Sequence, residues 1–151
     1  MKIFVGGDHR GVHFKNKIKD ILNGIKIAVV DVGAFDETKS CDYPRIAYQV
    51  ATQVVRSKNN RGILVCMSGI GQAIAANKVR GAYAALCYNA DSARLSRQHN
   101  NANILVLGAK FTKKKDLSEI VQVWLMTPFE GGRHRRRVNQ IKRIEKGEAL
   151  G

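Results

Sequence analysis

Gly62-Ile63-Leu64-Val65-Cys66-Met67-Ser68-Gly69-Ile70-Gly71 is the stretch on which the fold turns. Its first four residues form a short, almost wholly apolar run, which suits a strand covered on both faces of a parallel sheet. A thiol ends the run, and a glycine-rich turn then opens a helix. Strand, loop and helix in that order make the repeating unit of an α/β fold.

Working outward, the same kind of run recurs at Lys2-Ile3-Phe4-Val5, Ile27-Ala28-Val29-Val30, Tyr83-Ala84-Ala85-Leu86 and Asn103-Ile104-Leu105-Val106-Leu107. Between the runs lie apolar residues at helical spacing: Phe14, Ile18, Ile21 and Leu22, then Ile46, Val50 and Val54, then Leu117, Ile120, Val121 and Trp124. This alternation predicts one doubly wound α/β domain over residues 1–151, with five parallel strands, helices on both faces and right-handed crossovers. No linker, repeat or low-complexity tract interrupts it. Ligands of open α/β sheets sit beyond the carboxyl ends of the strands. The informative loops are therefore Gly6–Gly11, Asp31–Gly33, Cys66–Gly71, Cys87–Asn89 and Gly108–Lys110.

The chain has 151 residues, enough to bury a core without disulfides or metal clips. No apolar run approaches the roughly 20 residues that cross a bilayer, so no membrane association is expected. Cys41, Cys66 and Cys87 fit neither a disulfide framework nor a four-ligand zinc site, which suggests a reducing cytosol and a cytoplasmic protein. The net charge of +14 points to an anionic partner. Its focus lies between Arg133 and Lys146, which hold seven basic residues and one acid, Glu145. No aromatic residue follows Phe129, so this segment lacks the stacking platform of a single-strand binder, and no specific nucleic-acid partner is expected.

The first loop has Gly6, Gly7 and Gly11, without the G-x-G-x-x-G spacing of dinucleotide sites, although Asp31 lies about 20 residues on, where such sites place an acid. Val12 and His13 stand where a P-loop needs Lys and Ser or Thr. His9 and His13 are spaced i, i+4 but lack an evident third ligand, so no metal is predicted. In the third loop, N–H groups at a helix start can lower a thiol's pKa and bind an oxyanion, and Gly69 and Gly71 admit a ligand closely. From these residues alone, Cys66 is open to two accounts: an activated thiol or a small buried apolar side chain. His99, in Ser96-Arg97-Gln98-His99-Asn100-Asn101, offers an imidazole for acid–base work or simply caps a helix. In the last helix, expected over 130–147, Val138, Ile141 and Ile144 form an apolar stripe flanked by Arg133 and Arg137. Two guanidinium groups one turn apart can grip a phosphate, or they can belong to a solvated basic face. Gly131 and Gly132 predict a bend that swings this helix off the domain.

Together these residues resemble the ribose 5-phosphate isomerase B and galactose 6-phosphate isomerase family, most closely its ribose 5-phosphate branch. The resemblance rests on Gly7-Asp8-His9 with Gly11, Asp42-Tyr43-Pro44, Cys66 with Ser68-Gly69-Ile70-Gly71, and Ala75-Ala76-Asn77-Lys78. It continues through Ser96-Arg97 with His99-Asn100, Asn103-Ile104-Leu105 with Gly108, and Glu130-Gly131-Gly132-Arg133-His134 with Arg137. It implies a Rossmann-like three-layer domain without a dinucleotide. It also implies a homodimer whose C-terminal helix extends to the partner and whose sites are shared, with assembly to a tetramer open.

The resemblance implies roles as well. Cys66 would move the proton between C2 and C1 through a cis-enediolate, and His99 would open the furanose ring with Asp8 near the ring oxygens. The backbone from Met67 through Gly69 and Ile70 to Gly71, with the Ser68 hydroxyl, would hold the enediolate oxygen. His9, Arg133 and Arg137 would hold the phosphate, and Asn100 and Tyr43 would contact the sugar. No cofactor is implied. Met67 stands where the family usually has glycine, and Lys110 where many relatives have a substrate-contacting arginine. The expected activity is interconversion of D-ribose 5-phosphate and D-ribulose 5-phosphate. A hexose 6-phosphate substrate, such as allose or galactose 6-phosphate, and a noncatalytic phosphosugar or nucleic-acid binding module are the alternatives.

Overall fold

A computed structural model describes residues 1–151. The strands are β1 (Lys2–Gly7), β2 (Ala28–Gly33), β3 (Arg61–Cys66), β4 (Ala84–Cys87) and β5 (Ile104–Gly108). They form one parallel sheet in the order β2-β1-β3-β5-β4. The helices are α1 (Val12–Gly24), α2 (Tyr43–Val55), α3 (Ile70–Ala76), α4 (Ala90–Asn100), α5 (Leu117–Met126) and α6 (Gly132–Glu145). None is long and apolar enough to cross a membrane.

Two cores explain why the strands read as continuous apolar runs. On one face Ile3, Val5, Ile63, Val65, Leu105 and Leu107 meet Phe14, Ile18 and Leu22 of α1 and Leu117, Ile120, Val121 and Trp124 of α5. On the other, Phe4, Leu64, Ile104 and Val106 meet Ile46, Val50 and Val54 of α2 and Ala76 of α3. Alternate residues of each strand serve opposite layers, so both must be apolar.

One buried group was not expected in this core. Lys15 of α1 is 1% exposed and donates to Asp31 Oδ1 at 2.7 Å, to Gly33 O at 3.0 Å and to Ala34 O at 2.7 Å. Lys19 takes the other carboxylate oxygen at 2.7 Å. Burial pushes the pKa of Asp31 up, but the two ammonium donors outweigh it and the net direction is down. Asp31 is thus occupied in holding the exit of β2 against α1, which accounts for an acid at that strand end without any ribose.

The bend before α6 is present, with φ of +72° at Gly131 and +51° at Gly132. The helix nevertheless does not swing clear of the domain. His134 and Val138 are buried, and the Glu145 carboxylate accepts the Gly81 N–H at 2.9 Å and the Tyr83 hydroxyl at 3.1 Å. Burial, then the Glu145 charge, pushes the Tyr83 phenol up to about 12. Of the predicted apolar stripe only Val138 is covered; Ile141 and Ile144 remain exposed.

Candidate active site

β1 and β3 are neighbours, with Gly7 opposite Val65, so the loops that leave them lie side by side. Asp8 is buried and its Oδ1 accepts the N–H groups of Arg10 and Gly11, both at 3.0 Å, capping a short 3-10 turn over His9–Gly11. Burial still leaves its pKa above the ordinary aspartate value. His9 sits in that turn and accepts the Cys41 N–H on Nδ1 at 3.4 Å, which leaves Nε2 free to donate to a ligand. His13 lies beyond it in α1 and is exposed. Tyr43, the first residue of α2, brings its ring against Gly71. The exit of β5 is stitched to the same cluster, because Ala109 N–H donates to Cys66 O at 2.8 Å and Lys110 N–H to Met67 O at 3.0 Å. Met67 is 42% exposed, and its Sδ receives an Arg10 guanidinium N–H at 2.9 Å.

Cys66 ends β3 with its thiol almost covered. Sγ accepts the Gly69 N–H at 3.1 Å, an approach made possible by the left-handed backbone of Gly69 at φ +83°. Burial pushes the thiol pKa up; the N–H groups of Gly69, Ser68 and Gln72 pull it down, and the negative charge of Asp8 adds to the rise. The net direction is upward. The lowering expected from the helix start is real but smaller than the cost of burying a thiolate. Ser68 Oγ accepts the Ile70 N–H at 3.3 Å, and the first N–H groups of α3 have no acceptor within the helix.

The remaining candidates lie elsewhere. α4 returns from the carboxyl edge of the sheet to the amino edge, and His99 and Asn100 are its last residues, just ahead of β5. Behind them the buried Arg97 fixes the turn by donating to Asn101 Oδ1 at 3.0 Å and Ala102 O at 2.6 Å. Burial, then the charge of Arg61, brings Arg97 down to about 10. Glu130 N–H donates to Gln98 O at 3.1 Å, which brings the start of α6 to this end. There Arg133 and Arg137 are exposed and ion-paired to no carboxylate. The imidazoles of His99 and His134 stack with centroids 4.1 Å apart and planes 6° from parallel. Ligand-type atoms of His99, Glu130 and His134 lie within 4.8 Å of one another. Parallel stacked rings, however, cannot both aim an in-plane lone pair at one ion, so this trio is not a formed metal site.

The structure therefore makes two clusters. Asp8, His9, Tyr43, Cys66–Gly71 and Lys110 gather at the carboxyl ends of the strands. His99, Asn100, Arg133 and Arg137 gather at the amino ends. The four steps of β5 from Ile104 to Gly108 separate them by roughly 13 Å at strand rise.

The Ribose/Galactose Isomerase family model matches residues 3–141. This chain belongs to that family. It is 41% identical over 144 residues to ribose-5-phosphate isomerase B of Escherichia coli, covering 95% of this chain and 96% of that one. A solved ribose-5-phosphate isomerase B from Clostridium thermocellum superposes with a TM-score of 0.92 at 44% identity, covering 97% of this chain and 99% of the other. The enzyme of Mycoplasma genitalium, solved with bound ribulose-5-phosphate, also superposes at 0.92, with 41% identity and 96% of each chain covered.

For a ribose/galactose isomerase of this kind, the alternation of strands and helices points to the strand-exit loops, while the role of the two arginines rests on the family resemblance and not on their spacing. Three site features went unread. His134 stands in the Glu130–His134 motif that carries the family resemblance, which assigns it no role. Gln72 is fully buried beside the thiol loop with neither amide atom partnered. The Arg10–Met67 contact joins two loops 57 residues apart. Only an i, i+3 or i, i+4 spacing can announce contacts within a helix; contacts between loops leave no such trace.

Proposed function

We infer that this chain interconverts D-ribose 5-phosphate and D-ribulose 5-phosphate, with Cys66 as the base. The observation that carries the inference is the Cys66 thiol seated on the Gly69 N–H beside Asp8, in a chain that superposes on a ribose-5-phosphate isomerase B holding ribulose-5-phosphate. In the aldose direction Cys66 takes the proton from C2 as the C1 carbonyl gains its electrons, giving a cis-enediolate. Returning the proton to C1, while O2 gives up its hydroxyl proton to become the carbonyl and O1 takes up a proton to become a hydroxyl, completes the transfer with no net oxidation. The Ser68 hydroxyl and the N–H groups at the start of α3 stabilise the enediolate oxygen. No metal or redox cofactor is required by this balance.

The base and the phosphate anchor must meet one small sugar, yet one chain holds them at opposite ends of its sheet. A second copy resolves this, with His99, Asn100, Arg133 and Arg137 of the partner subunit facing Cys66, Asp8, His9 and Tyr43. Exposed Ile70 and Ile74 on α3, and Ile141 and Ile144 on α6, give such a homodimer apolar contact beside both clusters. The partner's guanidinium groups would then favour the thiolate that burial disfavours in the single chain. Binding of the nonreacting phosphate orients the reacting carbons. The free cysteines suit a cytoplasmic enzyme.

NMR of the purified protein with ribose 5-phosphate, allose 6-phosphate and galactose 6-phosphate in heavy water tests activity and substrate together. Ribulose 5-phosphate is expected as the product formed fastest. Preferential turnover of a six-carbon sugar would move the assignment within the family, and no turnover of any of them would overturn it.

A further inference from the structure

His134 contributes to no proton transfer assigned above, and nothing in the motif spacing gives it a task. It is 5% exposed, yet its ring does not simply fill space. One face lies on His99 at 4.1 Å, nearly parallel. Its Nε2 stands 3.5 Å from Glu130 Oε2 and 3.5 Å from Arg133 Nε, a carboxylate that wants a proton there and a guanidinium that wants a lone pair. The groups facing it are thus His99 on α4, Glu130 ahead of α6, and Arg133 and Arg137 on α6 itself. Burial, the charges of His99 and Arg133, and then Arg137 push it below the ordinary imidazole range, with Glu130 pulling the other way.

Two imidazolium rings cannot stack comfortably, because like charges at that separation repel in a partly buried setting. A neutral ring on a charged one has no such conflict and gains the attraction of a cation for a π face. The stack also leaves His99 one ring orientation where a partly exposed histidine would otherwise sample several.

We propose that His134 is a positioning residue for ring opening, a buried stacking partner that fixes the orientation of the His99 imidazole. The inference rests on the isomerase function proposed for the site and on the ring-opening role of His99. Arg133 lies next in chain and contacts His134, so the phosphate anchor and the ring-opening group share one small cluster.

Two measurements on the full-length protein test it. Imidazole NMR titration reads the coupling without any turnover: in His99→Phe the His134 midpoint should shift upward, because a cationic neighbour has gone. An unshifted midpoint overturns the proposal. Kinetics with ribose 5-phosphate read the positioning: His134→Ala should lose about tenfold in kcat with KM little changed, and His134→Phe, which keeps a flat ring on His99, should recover most of it. Equal losses in both variants, which would mean that the ring nitrogens act through Glu130 or Arg133 rather than the flat ring through His99, or a loss confined to KM, which would mean that His134 serves phosphate binding, would overturn the proposal. If wild type shows coupled titration but turns over no sugar phosphate, the function is wrong and the stack stands. If it is active with independent rings, only the stack fails.

Discussion

The ring of Tyr43 closes on Gly71 so tightly that a β-carbon at residue 71 would lie 2.5 Å from its Cζ and 2.7 Å from its hydroxyl oxygen. Tyr43 opens α2 and Gly71 is the second residue of α3, so this contact ties the start of α2 to the helix that follows the thiol loop. Gly71→Ala should drive the ring outward. Because Tyr43 is 40% exposed, it can swing away without unfolding the domain. The expected result in steady-state assays is a KM about tenfold higher for ribose 5-phosphate, with about 1 kcal/mol or less lost in chemical denaturation.

Asp8 opposes ionisation of Cys66, so Asp8→Asn should lower the thiol's titration midpoint. The asparagine carbonyl can still accept from Arg10 and Gly11, which preserves the turn. Ultraviolet thiolate absorbance against pH reads the change in free protein: the variant's curve should lie at lower pH than wild type. A curve that does not move would mean that burial alone, and no charge from Asp8, governs the thiol.

Cys66→Ala and His99→Ala should each cost on the order of 10²–10⁴ in kcat/KM. If sites are shared, mixing the two inactive proteins under conditions that exchange subunits restores one complete wild-type site in each mixed dimer. Random pairing then predicts about a quarter of wild-type activity from an equal mixture. Activity that stays at zero after verified exchange would place the whole site within one chain.

Lys15→Met removes a buried cation from Asp31 and leaves the Gly33 and Ala34 carbonyls without their donor. Breaking a buried pair on one side costs about 3–5 kcal/mol at neutral pH. Asp31 has a lowered pKa in the folded chain, so its stabilisation is complete above the ordinary carboxylate range and is lost as pH falls through the folded value. The gap between wild type and variant in denaturant titrations should accordingly narrow in acid.

Met67→Gly removes the side chain that meets Arg10 across the mouth of the thiol loop. The extra room should raise kcat/KM for allose 6-phosphate relative to ribose 5-phosphate by about tenfold. An unchanged ratio would show that chain length is selected elsewhere, at the phosphate anchor.

The parts of the fold that could be read in advance were those governed by one period. Ile46, Val50 and Val54 repeat at helical spacing and are buried as expected. The runs at Ile63 to Val65 and Ile104 to Leu107 read as doubly covered strands and are. Strand ends then located Asp8, Cys66 and Lys110 by topology alone. Lys15 was illegible because a lysine on a helix is ordinarily solvated, and only the convergence of Asp31 with two strand-exit carbonyls makes its burial favourable. The sign of the Cys66 shift was not legible in the sequence for a related reason. A sequence displays the N–H groups at a helix start but not the depth of the pocket that surrounds the thiol. Ile141 and Ile144 look like core by spacing and stay exposed because nothing in the same chain covers them.

In the proposed shared-site dimer, the length of β5 between the Cys66 loop and the His99 turn would make the two ends of the sheet separately heritable. Where a genome carries two diverged copies of such a gene, one product can lose its thiol and still serve as the donor of arginines. The other can keep the thiol and shed the arginines. Selection would then preserve the pair and neither copy alone, and a mutation screen in either gene would find only half of a catalyst.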